Sequence, residues 1–180
     1  MKRQSIAALG LGLTLALAAG GAQAQDKKNV DSASKSFIKS AIEGNLAEVD
    51  VGKLAQEKGN SPEVKKFGEM LVTDHGKANE QAKTAAKAVD VDPPTGSSIM
   101  EKGTYAKLKM LSGDSFDKSF IDSMVSDHQS DIKEYQKESS KSDPVGQYAK
   151  ESLPTLQKHL KEAQRVQAEL KQKSTTGSKQ

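Results

Sequence analysis

The chain has 180 residues, with 27 basic and 24 acidic side chains, a formal charge of +3, and neither cysteine nor tryptophan. Without thiols there are no disulfides, no thiolate nucleophiles and no sulfur-ligated metals. Charges of both signs are interspersed with no dense Lys/Arg block, so there is no electrostatic footprint for nucleic acid.

The first 24 residues read as a secretory signal peptide. Met1-Lys2-Arg3 is a short basic start, Ile6 to Ala19 is mostly apolar, and Ala22-Gln23-Ala24 is a small-x-small cleavage site. The apolar run is shorter than the roughly 18 residues that span a bilayer, and no second one follows, so the expected product is exported to the periplasm or envelope and has no transmembrane span. The competing reading is an uncleaved anchor. Cleavage would remove Lys2 and Arg3 but no acid, lowering the formal charge from +3 to +1, and would leave 156 residues, enough for one domain.

Residues 25–34 are a polar lead-in. A first helix is expected over 35–58, where Phe37/Ile38, Ala41/Ile42, Val49, Gly52 and Ala55 recur at three- and four-residue steps. Lys58-Gly59-Asn60 ends it. Ser61-Pro62-Glu63 then supplies a hydroxyl cap, a proline at the first helical position and an acid in the first turn, opening a second helix that runs to about Val89. The turn between them is short enough to make the two antiparallel neighbours.

After the break at Asp90 to Ser98, Ser98 and Glu101 form a capping-box pattern for a short helix over 99–111, closed by Gly113. Asp114 is expected to cap a third long helix reaching Lys141. Ser142-Asp143-Pro144 repeats the earlier Ser-Pro device and opens a fourth, from 144 to 171, leaving 172–180 as a disordered tail. Sustained period-two alternation is absent from the mature chain. The fold class is therefore all-α, with residues 35–171 forming a four-helix bundle: two helical hairpins joined by a crossover that contains the short helix.

The chemistry lies in a repeat. Phe67 to His75 is echoed 53 residues later by Phe120 to His128, and each copy ends in an Asp-His pair, Asp74-His75 and Asp127-His128. His75 falls in the apolar stripe Val64, Phe67, Leu71, Ala78, Ala82, and His128 falls between Met124 and Ile132. His159, the third and last histidine, follows Leu156 by three residues at the edge of its stripe. All three lie near the midpoints of their helices, and Glu48 occupies the matching height on the first, so all four share one level. Three imidazoles and a carboxylate are a chemically sensible ligand set for one divalent first-row metal. The competing reading makes the histidines structural core groups satisfied by hydrogen bonds.

Asp74 and Asp127 lie about 100° round the helix from their own histidines and are candidates to orient histidines on neighbouring helices. Glu162 is a weaker candidate for the same role, with Glu43 and Asp50. Met70, Met110 and Met124 read as core filler. Pro154 lies inside the fourth helix, removes a hydrogen bond to the Lys150 carbonyl, and is expected to kink the helix before His159.

Five strings carry a family resemblance: Glu48-Val49-x-x-Gly52-x-Leu54-Ala55, Met70-x-x-x-x-His75, Gly113 to Asp117, Met124-Val125-x-Asp127-His128, and Leu153-Pro154-Thr155-Leu156-x-x-His159-Leu160. Over residues 35–170 the chain resembles an exported bacterial ferritin-like domain-of-unknown-function family whose members are often labelled predicted outer membrane proteins. The resemblance implies a ferritin-like bundle in the bacterial envelope and brings no established reaction. Ferritin-like metal pairs use Glu-x-x-His, whereas Val72, Val125 and Leu156 stand three residues before the histidines here. A carboxylate-bridged di-iron oxidase is thereby disfavoured, and a mononuclear histidine-rich site is expected. Nor does the chain alternate over ten-residue strands as a membrane barrel requires.

Two functional readings stand side by side. One is a metal-binding bundle for storage, sensing or oxidative-stress protection. The other is a non-catalytic envelope or stress-related interaction bundle. A metal-dependent enzyme ranks below both, because no general base or nucleophile can be identified.

Overall fold

The computed structural model describes residues 30–177, so the signal peptide at 1–24, the start of the lead-in and the last three residues of the tail lie outside the described residues. All regular structure among the described residues is helical: α1 Ser32–Lys58, α2 Pro62–Ala88, α3 Ile99–Lys109, α4 Gly113–Glu138 and α5 Pro144–Gly177. In none of these helices is there a stretch long and apolar enough to cross a membrane.

The helix starts follow from local chemistry. Asp31 caps α1 by accepting from the Ser34 amide at 2.8 Å, so that helix begins inside the expected lead-in. The Ser61 hydroxyl accepts from the Glu63 and Val64 amides ahead of Pro62. At α3 the Ser98–Glu101 capping box is closed in both directions. Asp114, expected as a cap, is instead an acceptor for the Asn60 side chain at 2.8 Å, and α4 starts at Gly113, whose φ of +56° a side chain would resist. Helix α5 runs six residues into the expected tail, where the Ser174 hydroxyl donates to the Leu170 carbonyl and Lys173 pairs with Glu63. It passes through Pro154 as one element, and both Pro154 and Lys150, whose carbonyl loses its partner, are on the exposed face.

Helix α1 packs along α2, α4 along α5, and α2 against α5, while α1 also meets α3 and α4. The α1–α2 pair closes over two glycines. A Cβ on Gly52 would stand 2.8 Å from the Gly68 carbonyl oxygen, and one on Gly68 would stand 2.6 Å from that of Gly52. The buried carboxylate of Asp117 holds the α1–α2 turn by accepting from the Asn60 and Ser61 amides at 2.8 and 2.7 Å.

Apolar packing divides into two clusters. One gathers Ile38, Ile42, Ala82, Ala86, Val145 and Ala149, with Tyr135 and Tyr148. The other gathers Leu54, Val64, Phe67, Leu71, Phe116, Phe120, Ile121 and Val166. On each of α1, α2, α4 and α5 a short polar stretch lies between them: Asn45 and Glu48, His75 and Asn79, His128, and His159, all buried. Of the three methionines expected as filler, Met124 is buried, Met70 is partly buried, and Met110 is 85% exposed at the end of α3, outside both clusters.

Candidate metal centre

The polar layer brings the three histidines into contact. His75 is 3% exposed and His128 and His159 are 0% exposed, and one nitrogen from each lies within 4.8 Å of the others. His159 Nδ1 is the hub, 3.2 Å from His75 Nε2 and 3.3 Å from His128 Nε2.

The outward nitrogens are each committed. His75 Nδ1 donates to Asn45 Oδ1 at 2.9 Å, His128 Nδ1 to the Met124 carbonyl at 3.0 Å, and His159 Nε2 to Asp74 Oδ2 at 2.9 Å. These partners are acceptors, so they place a proton on each outward nitrogen and leave the three inward nitrogens with lone pairs aimed at one another. Convergent lone pairs repel unless a proton or a metal ion lies between them. Separations of 3.2 and 3.3 Å are close to the edge of a tetrahedron built on metal–nitrogen bonds of about 2.0–2.1 Å.

Glu48 completes the layer from α1. Its Oε2 lies 2.6 Å from His75 Nε2, a separation that needs a shared proton or a cation. Burial pushes this carboxyl up, but its electrostatic interaction with the His75 and His128 imidazoles and the hydrogen bond it shares with His75 outweigh burial and hold Glu48 at about 2. Burial lowers His128, and it lowers His159 to about 4 against the opposing hydrogen bond to Asp74, so both rings stay neutral and able to ligate near pH 7.

The two repeat aspartates have different surroundings. Asp74, half-buried, meets His159 across the α2–α5 interface and also lies 3.5 Å from Lys158. Burial raises it, yet these two partners prevail and hold it below its ordinary value. Asp127 retains accessible surface and makes no hydrogen bond to an imidazole among the described residues. Desolvation by the protein packed around it, with Glu48 and Glu101 nearby, pushes it up to about 6. Glu162 pairs with Arg165 through two hydrogen bonds, at 3.0 and 2.7 Å, and not with a histidine. Asp50 pairs with Lys53 on the exposed face of α1.

Sequence reasoning missed five residues in and around this layer, buried Asn79 among them. Asn45 orients His75 and also donates to the Tyr148 hydroxyl at 2.9 Å, which shares a hydrogen bond with the Tyr135 hydroxyl at 3.3 Å. Burial pushes both phenols up, so they remain protonated. Asp131 is pushed up to about 8 by burial and by the acids Glu48, Asp127 and Glu134. Spacing was the only available signal: Asn45 stands three residues before Glu48, and Asp131 three after His128. A cavity of about 170 Å³, lined by Asn45, Asp74, His75, Lys77, Tyr148 and Ser152 among others, opens the layer between α2 and α5.

Fold and site together define a helical bundle with a buried triad of imidazoles. Residues 19–166 match the family described as Domain of unknown function (DUF4142), and the chain belongs to that family. No curated protein and no solved structure matches it.

Proposed function

We propose that this protein is an exported, ferritin-like four-helix bundle that binds one divalent first-row metal ion through His75, His128 and His159, with Glu48 as the fourth ligand. Its role is metal storage, sensing or protection against oxidative stress in the bacterial envelope. In this reading α1, α2, α4 and α5 are the bundle helices and α3 is the crossover.

The observation that carries the proposal is the set of proton positions. Three buried imidazoles spend their outward N–H groups on Asn45, Met124 and Asp74, an arrangement metal-bound histidines need in order to hold tautomer and aim. With the outward N–H groups spent, three inward nitrogens and a Glu48 oxygen converge at 2.6 to 3.3 Å, and only an added proton or a cation can lie between them. A divalent ion resolves the conflict, and neutral imidazoles with one carboxylate suit zinc, cobalt, nickel, copper or iron over magnesium or calcium.

The test is elemental analysis of the mature protein purified without a histidine tag, paired with melting before and after chelation. Near-stoichiometric metal, and a melting temperature that falls on chelation and recovers on adding the same ion, are the expected results. A metal-free preparation that gives no melting shift with zinc, copper, iron or manganese would refute the proposal.

A further inference from the structure

A second cavity reaches the polar layer from the α1/α4 side. It measures about 50 Å³ and is lined by Glu48, Asp131, Glu134, Asn45 and Tyr135, together with His75 and a few apolar and small residues, and by no lysine or arginine. By the usual requirement of roughly 10–15 Å³ per water, that is room for a cation with some of its own waters.

The Glu48 carboxylate is divided in its engagements. Oε2 is engaged at His75, 2.6 Å away. Oε1 lies 3.4 Å from His128 Nδ1, but that nitrogen already donates to the Met124 carbonyl, so Oε1 is buried and receives no hydrogen bond. An ionised oxygen without a partner, on a residue only 7% exposed, is costly unless a cation satisfies it. Helix α4 brings two more carboxylates to the same cavity, from half-buried Asp131 and exposed Glu134.

We infer that this cavity is a second cation site, with oxygen ligands from Glu48, Asp131 and Glu134, for a hard ion of the calcium or manganese type. The two sites divide by donor chemistry. The imidazole nitrogens favour softer first-row ions, while the carboxylate cavity favours ions that bind oxygen and keep several waters. The inference goes beyond the proposed histidine centre and holds whether or not that centre is filled.

Terbium(III) is a suitable probe, because it seeks oxygen ligands and emits when an adjacent tyrosine is excited, and Tyr135 lines the cavity. Titration of the untagged protein should give saturable tyrosine-sensitised emission that excess calcium displaces. Asp131→Asn should weaken terbium binding roughly tenfold or more. Glu151→Gln, at the opposite opening between α2 and α5, should leave it unchanged. Unaltered helical circular dichroism in Asp131→Asn shows that lost emission is not lost fold. Absence of saturable emission, or equal affinity in Asp131→Asn, overturns the inference. A parallel zinc titration separates it from the histidine reading: zinc bound without terbium sinks only the oxygen site, and terbium bound without zinc sinks only the histidine centre.

Discussion

The two copies of the nine-residue repeat differ in sequence at five positions, and two contrasts between them, at the residue after the phenylalanine and at the shared aspartate, come from what lies across the helix. In the first copy the residue after the phenylalanine is Gly68, which lets α2 approach the α1 backbone so closely that a Cβ would stand 2.6 Å from the Gly52 carbonyl oxygen. In the second copy the same slot holds Ile121, fully buried in the apolar cluster. The aspartates divide more sharply. Asp74 finds His159 and Lys158 across the interface, whereas the charged neighbours that act on Asp127 among the described residues are the acids Glu48, Glu101 and Asp131. One motif thus serves two purposes: in the first copy the acid orients a neighbouring histidine, and in the second it adds to an acidic face. Identical neighbours in sequence do not fix an electrostatic role.

That asymmetry can be broken most forcefully at the residue both copies share. His159 touches both repeat histidines, so His159→Asn should reduce zinc affinity, measured by competition with a chelator, by more than the roughly 10–100-fold that losing an outer hydrogen-bond partner costs. Equal affinity in the variant would mean that the imidazoles do not act as one centre. Asp74→Asn should itself produce the 10–100-fold loss, because His159 loses a charged acceptor, while Asp127→Asn should change zinc affinity little. Equal losses in the two variants would erase the distinction between the copies.

Gly68→Ala should destabilise by about 1–3 kcal/mol in denaturant unfolding, since an added methyl meets backbone and can be accommodated only by separating α1 from α2. Ile121→Val, in the matching slot, removes one methylene and should cost only about 0.5–1.5 kcal/mol. A larger cost at Ile121 would show that the close helix approach is not what Gly68 protects.

The smallest expected effect is on pH dependence in metal-free protein. His159 titrates at about 4 in the fold against 6.5 ordinarily, so the unfolded chain binds more protons and stability falls as pH drops from 6.5 towards 4. Asp127 has the opposite sign. Its pKa of about 6 exceeds the ordinary 3.8, so the folded chain holds the proton and stability is lost as pH rises from 3.8 through 6. Asp127→Asn should therefore raise the melting temperature modestly at pH 7 and steepen its fall between pH 6.5 and 4. A variant that melts like the parent at both ends would show that Asp127 is well solvated.

Much of the framework was legible in one dimension. The Ser61-Pro62-Glu63 start and the Ser98–Glu101 box rest on side chains acting within three residues of the amides they cap, and their patterns carried through to the structure. The apolar period placed His75 and His128 on buried faces for a similar reason: burial of a helical position follows from its angle on the helix. An expectation that failed involved a distant partner. Asp114 was expected to cap its own helix, but Asn60, 54 positions away, takes its carboxylate. Glu162, a weaker candidate to orient a histidine, pairs with Arg165 one turn along the same helix.

What the amino-acid order settled alone is the helices, the Ser61 and Ser98 caps and the inward set of imidazoles, because each follows from local backbone chemistry and a period of 3.6. What only the packing decided is which acid meets which base. The Asp74–His159 contact joins residues 85 apart, and the Asn45–Tyr148 contact residues 103 apart. The same holds for the stranded oxygen of Glu48 and the raised acids of α4. Coulomb energy and desolvation depend on distances of a few ångströms across helix interfaces, and no linear pattern encodes those distances.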